Sequence, residues 1–232
     1  DMAFMELLKT CCLCNRAAFD ETTLHLPLSD RKVVGDASDT ALLLFAEDLV
    51  RVNDVRSRYR KLAEIPFNSK NKWMLSIYEE PSNSRHAGKS CLLMKGAPEM
   101  ILHRCSTILM KDGQEIELTE KMREVIAQEQ ESLSEKGQRV LGLSCTYLSE
   151  TEYPPTYAFD AETQNFPTEN LCFVGLVSLI DPPRPDVPDA IRACQTAGIR
   201  VMMVTGDHPT TAVSIARMIG IVTNDRVDAV LS

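Results

Sequence analysis

The strongest constraint on the fold is the stretch CLLMKGAPE at residues 91–99. Its first four residues form an apolar run of strand length, which predicts a strand buried on both faces. Pro98 suits the first turn of a helix, because its missing N–H needs no partner there. Gly96 allows close backbone approach, and Lys95 supplies a positive charge. The stretch predicts a buried strand that carries a cation to a pocket wall, although a strand ending in a solvated lysine is equally compatible.

Composition and charge restrict the class of protein. The chain has 232 residues, of which 44% are hydrophobic and 25% charged, as expected for one large globular domain or a domain plus a fragment. Its net charge of -8 argues against a nucleic-acid partner, because phosphate backbones bind basic surfaces. Any anionic ligand must therefore be held by a local cluster of cations.

Targeting and membrane segments are not expected. The chain opens with DMAFMELLK, which lacks the basic and then apolar pattern of a signal peptide and suggests an excised fragment. The longest apolar run, residues 171–180, is about half of the roughly 20 residues that a membrane-spanning helix needs. The fragment is therefore expected to be soluble.

The eight cysteines have no regular spacing, which indicates reduced thiols in a cytosolic setting. Cys11 and Cys14 have CxxC spacing, but a zinc or redox role would need a second ligand pair or a βαβ context. Both lie instead in an apolar stretch that predicts a helix over residues 2–15. We interpret them as packing cysteines and expect no metal site.

Periodicity predicts the next elements. A helix is expected to begin after Ser38 as its N-cap, because apolar residues from Leu42 onward recur at helical spacing. Alternation over residues 72–78 predicts a strand with one core face and one mixed face, and Lys72 lies on the mixed face. Phe67, just before this strand, can be a core residue or a ligand contact.

Turn signals divide the following segment. The stretch NSRHAGKS at residues 83–90 imitates a phosphate-binding loop, but a strand follows it where such a loop requires a helix, so a hairpin loop is predicted. The Asp112-Gly113 pair predicts a second hairpin. Thr119 is expected to cap a helix, and residues 137–145 are expected to form another strand.

The pattern changes at residue 171. A strand at 171–180, a helix at 189–197, a strand at 199–204 and a helix at 209–219 alternate in the order typical of a parallel sheet. Four prolines within residues 182–188 suggest a stiff hinge. We predict an α+β domain over residues 1–172, with an antiparallel sheet flanked by helices, followed by part of an α/β domain over residues 173–232.

The triplet Thr205-Gly206-Asp207 follows the predicted strand and precedes a helix. In α/β sheets this is where ligands bind. A strand-end turn in which Asp207 serves as the helix N-cap is equally compatible.

Five motifs together carry a family resemblance. The stretches at residues 35–43, 66–73, 95–99, 181–190 and 203–212 resemble, in order, the cytoplasmic part of P-type cation-transporting ATPases, and most of all the sodium/potassium pump α-subunits. The resemblance implies a nucleotide-binding domain followed by an incomplete phosphorylation domain of the haloacid-dehalogenase-like (Rossmann-like) type. The motifs DKTGT and TGDGxND, which carry phosphorylation and magnesium in that family, do not occur here. The fragment is therefore expected to bind ATP without hydrolysing it, and magnesium is expected only in the longer parent.

The resemblance also implies site residues. Phe67 matches the residue that stacks on adenine in the family. Asp39 matches an acidic residue near the adenine amino group, which is usually Glu in the family. Arg139 matches an arginine that reaches the nucleotide phosphates. Met74 stands where sodium pumps often have Gln. The nucleotide-binding set is Asp39, Phe67, Lys72, Lys95, Gly96, Arg139, Asp181 and Arg184. Thr205, Gly206 and Asp207 match an incomplete phosphoryl-transfer site.

The implied parent is a multi-pass ion pump with this part on the cytoplasmic face of the plasma membrane. Its partners would be the actuator domain, the rest of the phosphorylation domain, the membrane helices and a β-subunit. The alternatives are the same module from a proton/potassium or calcium pump, or a soluble haloacid-dehalogenase-like phosphatase. The lack of a DxDx(T/V) nucleophile weighs against the phosphatase.

Overall fold

A computed structural model describes residues 1–180 and 182–222. Seven helices and nine strands are described, besides short 3-10 turns. In chain order they are α1 (Met2–Leu13), β1 (Ala18–Phe19), β2 (Val33–Val34), α2 (Ala37–Leu49), α3 (Val52–Arg56), β3 (Arg60–Ile65), β4 (Trp73–Glu79), β5 (Ser90–Gly96), α4 (Pro98–Arg104), β6 (Cys105–Leu109), β7 (Glu115–Glu117), α5 (Glu120–Glu135), β8 (Arg139–Leu148), β9 (Leu171–Leu179), α6 (Val187–Thr196) and α7 (Pro209–Met218).

The main sheet has seven strands in the order β3-β4-β5-β8-β9-β6-β7, and β1 pairs with β2 separately. The pairs β3–β4, β4–β5, β5–β8 and β6–β7 are antiparallel, whereas β6 and β9 are parallel. The predicted α+β class is confirmed, but the sheet is mixed. The parallel pair escaped prediction because it joins strands far apart in the chain, which local patterns do not encode.

Strands β4 and β5 form the centre of the core. Every residue of β5 is buried, as the apolar run predicted, and so are residues 73–78 of β4. The predicted mixed face of β4 is therefore wrong, because Met74 and Ser76 are as buried as their neighbours. Helices α1 and α4 both contact β5. Met74, Ser76 and Tyr78, which alternate with the apolar residues of this strand, all lie in the interior, so the alternation did not mark a solvent-facing side.

Several local predictions are confirmed. Pro98 occupies the first turn of α4. Residues 80–89 connect β4 to β5 as a hairpin, with Glu79 opposite Ser90. The turn between β6 and β7 has Gly113 at φ 86°, in the left-handed region. The N-cap of α2 was misplaced by two positions, because the Asp36 side chain, not Ser38, accepts the Asp39 N–H.

By its internal contacts the chain divides into two compact units. The first comprises Asp1–Arg123 and Leu141–Val177, and the second comprises Glu124–Val140 and the residues from Ser178 onward. The division into domains at residues 1–172 and 173–232 stays a prediction.

The second unit contains α6 and α7, and α7 is tied to the segment before β8. Ser214 donates to the Glu135 carbonyl at 2.8 Å, and Thr211 donates to the Gln138 carbonyl at 3.0 Å. The predicted strand at 199–204 is wrong, since no strand occurs within residues 182–222. A strand needs a neighbour for its backbone hydrogen bonds. Three apolar residues of this segment, Ile199, Met202 and Val204, are exposed instead, Val204 at 97%.

No helix within the described ranges is long and apolar enough to cross a membrane.

Candidate functional site

The candidate site of the first unit lies where the loop before β4 meets the end of β5. Phe67 is 59% exposed, so the core alternative for this side chain is wrong. The Lys72 amide donates to the Asn68 carbonyl at 2.8 Å, and the Asn71 amide donates to Asn68 Oδ1 at 2.7 Å. These bonds fold the loop into one tight turn. An aromatic face is thus displayed on a loop that is fixed at its base.

Lys72 lies outside the strand in which it was predicted. It has φ 59°, a left-handed conformation, and β4 begins at the next residue. Its side chain is exposed, and its carbonyl accepts the Ala97 N–H at 2.9 Å. The loop is therefore joined to the corner between β5 and α4, and the Lys72 ammonium remains accessible.

Gly96 is explained by chain packing. A Cβ at this position would lie 2.4 Å from the Lys72 carbonyl oxygen and 2.7 Å from the Trp73 Cα. Such contacts are too short for any side chain, so only glycine lets the loop close against β5. The predicted close backbone approach at Gly96 is thus made by the protein's own chain at Lys72 and Trp73.

Lys95 is neither exposed to solvent nor part of an open pocket wall. It is 5% exposed and forms an ion pair with Asp39, which is 3% exposed. The carboxylate also accepts the Arg16 N–H at 2.8 Å. Lys95 lies on β5 and Asp39 on α2, so the ion pair joins these two elements. In the described part of the chain the Lys95 ammonium is the only cation paired with this buried carboxylate.

The thiols of Cys11 and Cys14 lie close enough to Lys95 to interact with its charge. Burial raises the pKa of Cys11 to about 12 and that of Cys14 to about 11, and Lys95 partly opposes the rise in each case. Both residues are fully buried on α1 and at its end. Protonated, buried thiols behave as small apolar groups, which agrees with the packing role predicted for this CxxC pair.

Arg104 was missed by sequence reasoning. It ends α4, and its guanidinium lies 5.5 Å from the centre of the Trp73 ring. It also pairs with Glu169 at 3.0 Å. Since Trp73 is the cross-strand partner of Gly96, Arg104 adds a cation to the same corner. Helical periodicity gave no signal for it, because the contact depends on where the end of α4 meets the sheet.

The remaining candidates belong to the second unit. Arg139 bonds to Asp207 through Nε at 2.7 Å, and Asp207 Oδ2 accepts from Thr205 Oγ1 at 3.1 Å. The N-cap of α7 is His208, so Asp207 as N-cap is wrong. A Cβ added at Gly206 would meet only open space, and Arg184 is exposed. Asp181 lies outside the described residues.

No group of three or more His, Cys, Asp or Glu side chains in residues 1–180 and 182–222 is arranged to hold a metal ion.

Comparison with known proteins places the chain in a family. Residues 3–186 match the family model described as P-type ATPase, cytoplasmic domain N. The chain is 51% identical over 219 residues to the rabbit (Oryctolagus cuniculus) protein named potassium-transporting ATPase alpha chain 2, covering 93% of this chain and 20% of that protein.

Sodium/potassium-transporting relatives are equally similar. The chain is 50% identical over 220 residues to subunit alpha-A of Artemia franciscana, covering 94% of this chain and 22% of that protein. It is 51% identical over 213 residues to subunit alpha-3 of Gallus gallus, with coverages of 90% and 21%. The chain thus spans about a fifth of the length of the curated relatives it matches. Since the family match extends over most of its residues, the chain belongs to the P-type ATPases, as the cytoplasmic domain N of that family.

Proposed function

We propose that this chain binds ATP as the cytoplasmic part of a P-type ion pump. The observation that carries the proposal is the exposed Phe67 ring on a loop fixed to the corner at Gly96, inside the segment that matches the family. An exposed aromatic face suits a flat, apolar adenine ring. Lys72 supplies an accessible positive charge at this loop, and the Arg104 guanidinium, which also pairs with Glu169, lies at the same corner.

The buried pair of Lys95 and Asp39 has a positioning role in this proposal. Each neutralises the other, so neither offers a full charge to a phosphate group. Instead they hold β5 against α2 and so fix the corner that ends at Gly96. Asp39 and Lys95 stay in the proposed nucleotide set because they border this corner.

The second unit would contribute the phosphoryl-transfer side. We assign Arg139 and Arg184 to the nucleotide phosphates, with Asp181, and Thr205, Gly206 and Asp207 to an incomplete haloacid-dehalogenase-like site. The ion pair of Arg139 with Asp207 supports this assignment, because it joins Arg139 to the TGD motif and, unlike the buried Lys95, leaves the Arg139 side chain 38% exposed. Magnesium is proposed only for the longer pump, and we assign it no ligand here.

For the whole pump we propose sodium/potassium exchange coupled to ATP hydrolysis at the plasma membrane, together with a β-subunit. A potassium-transporting pump is the second candidate, because relatives with that name are as similar as the sodium/potassium ones, at 51% and 50% identity. ATPase assays of the full-length protein decide between them. Sodium-dependent activity supports the first candidate, and activity with potassium alone supports the second.

Replacement of Phe67 by alanine tests the site. Base–aromatic stacking contributes about 1–3 kcal/mol, so Phe67→Ala should weaken ATP binding roughly 5- to 150-fold. Calorimetric or NMR titration of this chain with ATP measures the change. Phe4→Ala is the matched control, because Phe4 on α1 is 41% exposed and lies outside the proposed site. Equal affinities for wild type and Phe67→Ala would contradict the proposal.

The same titration with ADP tests how much the γ-phosphate contributes. Exposed charge contacts such as that of Lys72 are worth about 0–1 kcal/mol each, so ATP and ADP should bind within a fewfold of each other. Magnesium should change either affinity little. If ATP binds far more tightly than ADP and only with magnesium, the chain holds a phosphate and metal site other than the one proposed.

A further inference from the structure

A cleft of about 750 Å³ lies in the first unit, at the hairpin end of β4 and β5. It is bordered by α1, by the loop between β4 and β5, and by β8. Three cysteines line it: Cys12 on α1, Cys145 on β8 and Cys172 on β9, of which the last two lie on adjacent strands. Both are free thiols in the structure, and the proposed nucleotide site uses neither.

The two thiols lie on neighbouring strands of the sheet. Strands β8 and β9 are adjacent in the strand order, both cysteines border the same cleft, and each thiol shifts the pKa of the other. Adjacent strands lie about 4.7–4.9 Å apart, within the Cα separations of about 4.4–6.8 Å that a disulfide spans. The spacing of neighbouring strands is therefore compatible with a disulfide between these cysteines.

Polar side chains lie next to Cys172 on the following strands, β6 and β7. Thr107 on β6 is its cross-strand partner, and Thr107 Oγ1 donates to a Glu115 carboxylate oxygen. Glu115 also lines the cleft. The neighbouring Cys145 thiol lowers the pKa of Cys172 although burial opposes this, whereas the contact with Cys172 and burial both raise the pKa of Cys145. Cys172 is thus the more readily deprotonated thiol of the two, and the thiolate is the reactive form of cysteine.

We propose that Cys145 and Cys172 form a redox site that a small peroxide entering the cleft converts into an intramolecular disulfide. The site is independent of the proposed ATP-binding function. Both residues are 3–4% exposed, at the floor of the cleft, so the ligand class is limited to small oxidants. A bulky thiol reagent should reach these two sulfur atoms less easily than hydrogen peroxide does.

The chemistry balances in two steps. The Cys172 proton passes to the Glu115 carboxylate, the sulfur attacks one peroxide oxygen, and the O–O bond breaks to give a sulfenic acid and hydroxide. The proton held by Glu115 then converts the hydroxide to water. The Cys145 sulfur then attacks the Cys172 sulfur, the S–O bond breaks, and the departing hydroxide takes the Cys145 proton. Two thiols lose two electrons, and one peroxide is reduced to two waters.

The CxxC pair provides an internal comparison. Cys11 and Cys14 have the spacing typical of redox proteins, but burial raises the pKa of both and neither lines the cleft. Spacing alone therefore selects the wrong pair. We expect Cys11 and Cys14 to stay reduced under conditions that link Cys145 to Cys172.

Peptide mapping by mass spectrometry tests the proposal on the whole chain after limited treatment with hydrogen peroxide and alkylation of the remaining thiols. The expected result is a peptide pair linked through Cys145 and Cys172 that dithiothreitol separates. Oxidation of the more exposed Cys194 without this link would overturn the proposal, and so would a Cys11–Cys14 link formed first.

Two variants test the order of steps. Cys145→Ala should leave Cys172 as a sulfenic acid that dimedone traps, whereas Cys172→Ala should leave Cys145 unreacted at the same peroxide concentration. Dimedone labelling of Cys145 in Cys172→Ala, without labelling of Cys172 in Cys145→Ala, would contradict the assigned roles. If a variant does not fold, the wild-type mapping still decides whether the pair forms.

Discussion

Lys95→Met should lower the free energy of unfolding by about 3–5 kcal/mol, because it leaves the Asp39 carboxylate buried without a cation. Asp39 and Lys95 have side chains only 5% and 7% exposed, so water cannot replace the lost partner. The methionine keeps the apolar part of the lysine side chain, which separates the charge effect from a packing defect. Urea unfolding monitored by circular dichroism measures the change.

A second substitution and a surface control sharpen this test. Adding Asp39→Asn to Lys95→Met should recover part of the loss, because an amide oxygen can still accept the Arg16 N–H without carrying a charge. Lys72→Met, at an exposed lysine, should change stability by less than about 0.5 kcal/mol. A Lys95→Met protein as stable as Lys72→Met would show that the pair does not hold β5 to α2.

Lys9→Met should destabilise the fold by a similar amount, again about 3–5 kcal/mol. The Lys9 ammonium lies 2.8 Å from a Glu6 oxygen, 3.1 Å from a Glu80 oxygen and 2.6 Å from the Tyr147 hydroxyl. The Glu80 side chain is only 2% exposed. Without Lys9, two carboxylates would face each other beside the His86 ring, which stacks on Tyr147.

The pH dependence of this effect has a definite sign. Burial opposes the charged form of Lys9, but nearby Cys91, Glu6, Tyr147 and Glu80 outweigh it and raise its pKa above the ordinary value. A raised folded-state pKa gives stability that is fully present below the unfolded-state pKa, about 10.4, and is lost only at higher pH. The difference between wild type and Lys9→Met should therefore be constant from pH 7 to pH 9.

The control for Lys9 is Lys61→Met. Lys61 pairs with Glu64, but its side chain is 42% exposed, so its removal should cost less than about 1 kcal/mol. Urea unfolding of both variants at pH 7 and pH 9 gives the comparison. Equal losses for Lys61→Met and Lys9→Met would mean that burial adds nothing to the Lys9 cluster.

Local chemistry in the sequence determined the central elements. The apolar run before Lys95 predicted a buried β5, Pro98 predicted the start of α4, and Gly113 predicted a turn. These signals act over a few residues, through periodicity, the missing proline N–H and the left-handed freedom of glycine. The family motifs likewise lie in the sequence itself.

Only the tertiary structure decided which of these residues meet. Lys95 and Asp39 are 56 positions apart, and nothing in either segment indicates that their charges neutralise each other in the interior. Cys145 and Cys172 come to lie on neighbouring strands only because β8 and β9 are adjacent, whereas the conspicuous CxxC pair is buried on α1 and at its end. The apolar segment at 199–204 has strand-like composition but no paired strand in the described structure. Side-chain pairing and strand pairing are properties of the folded chain, because both depend on partners that local sequence does not specify.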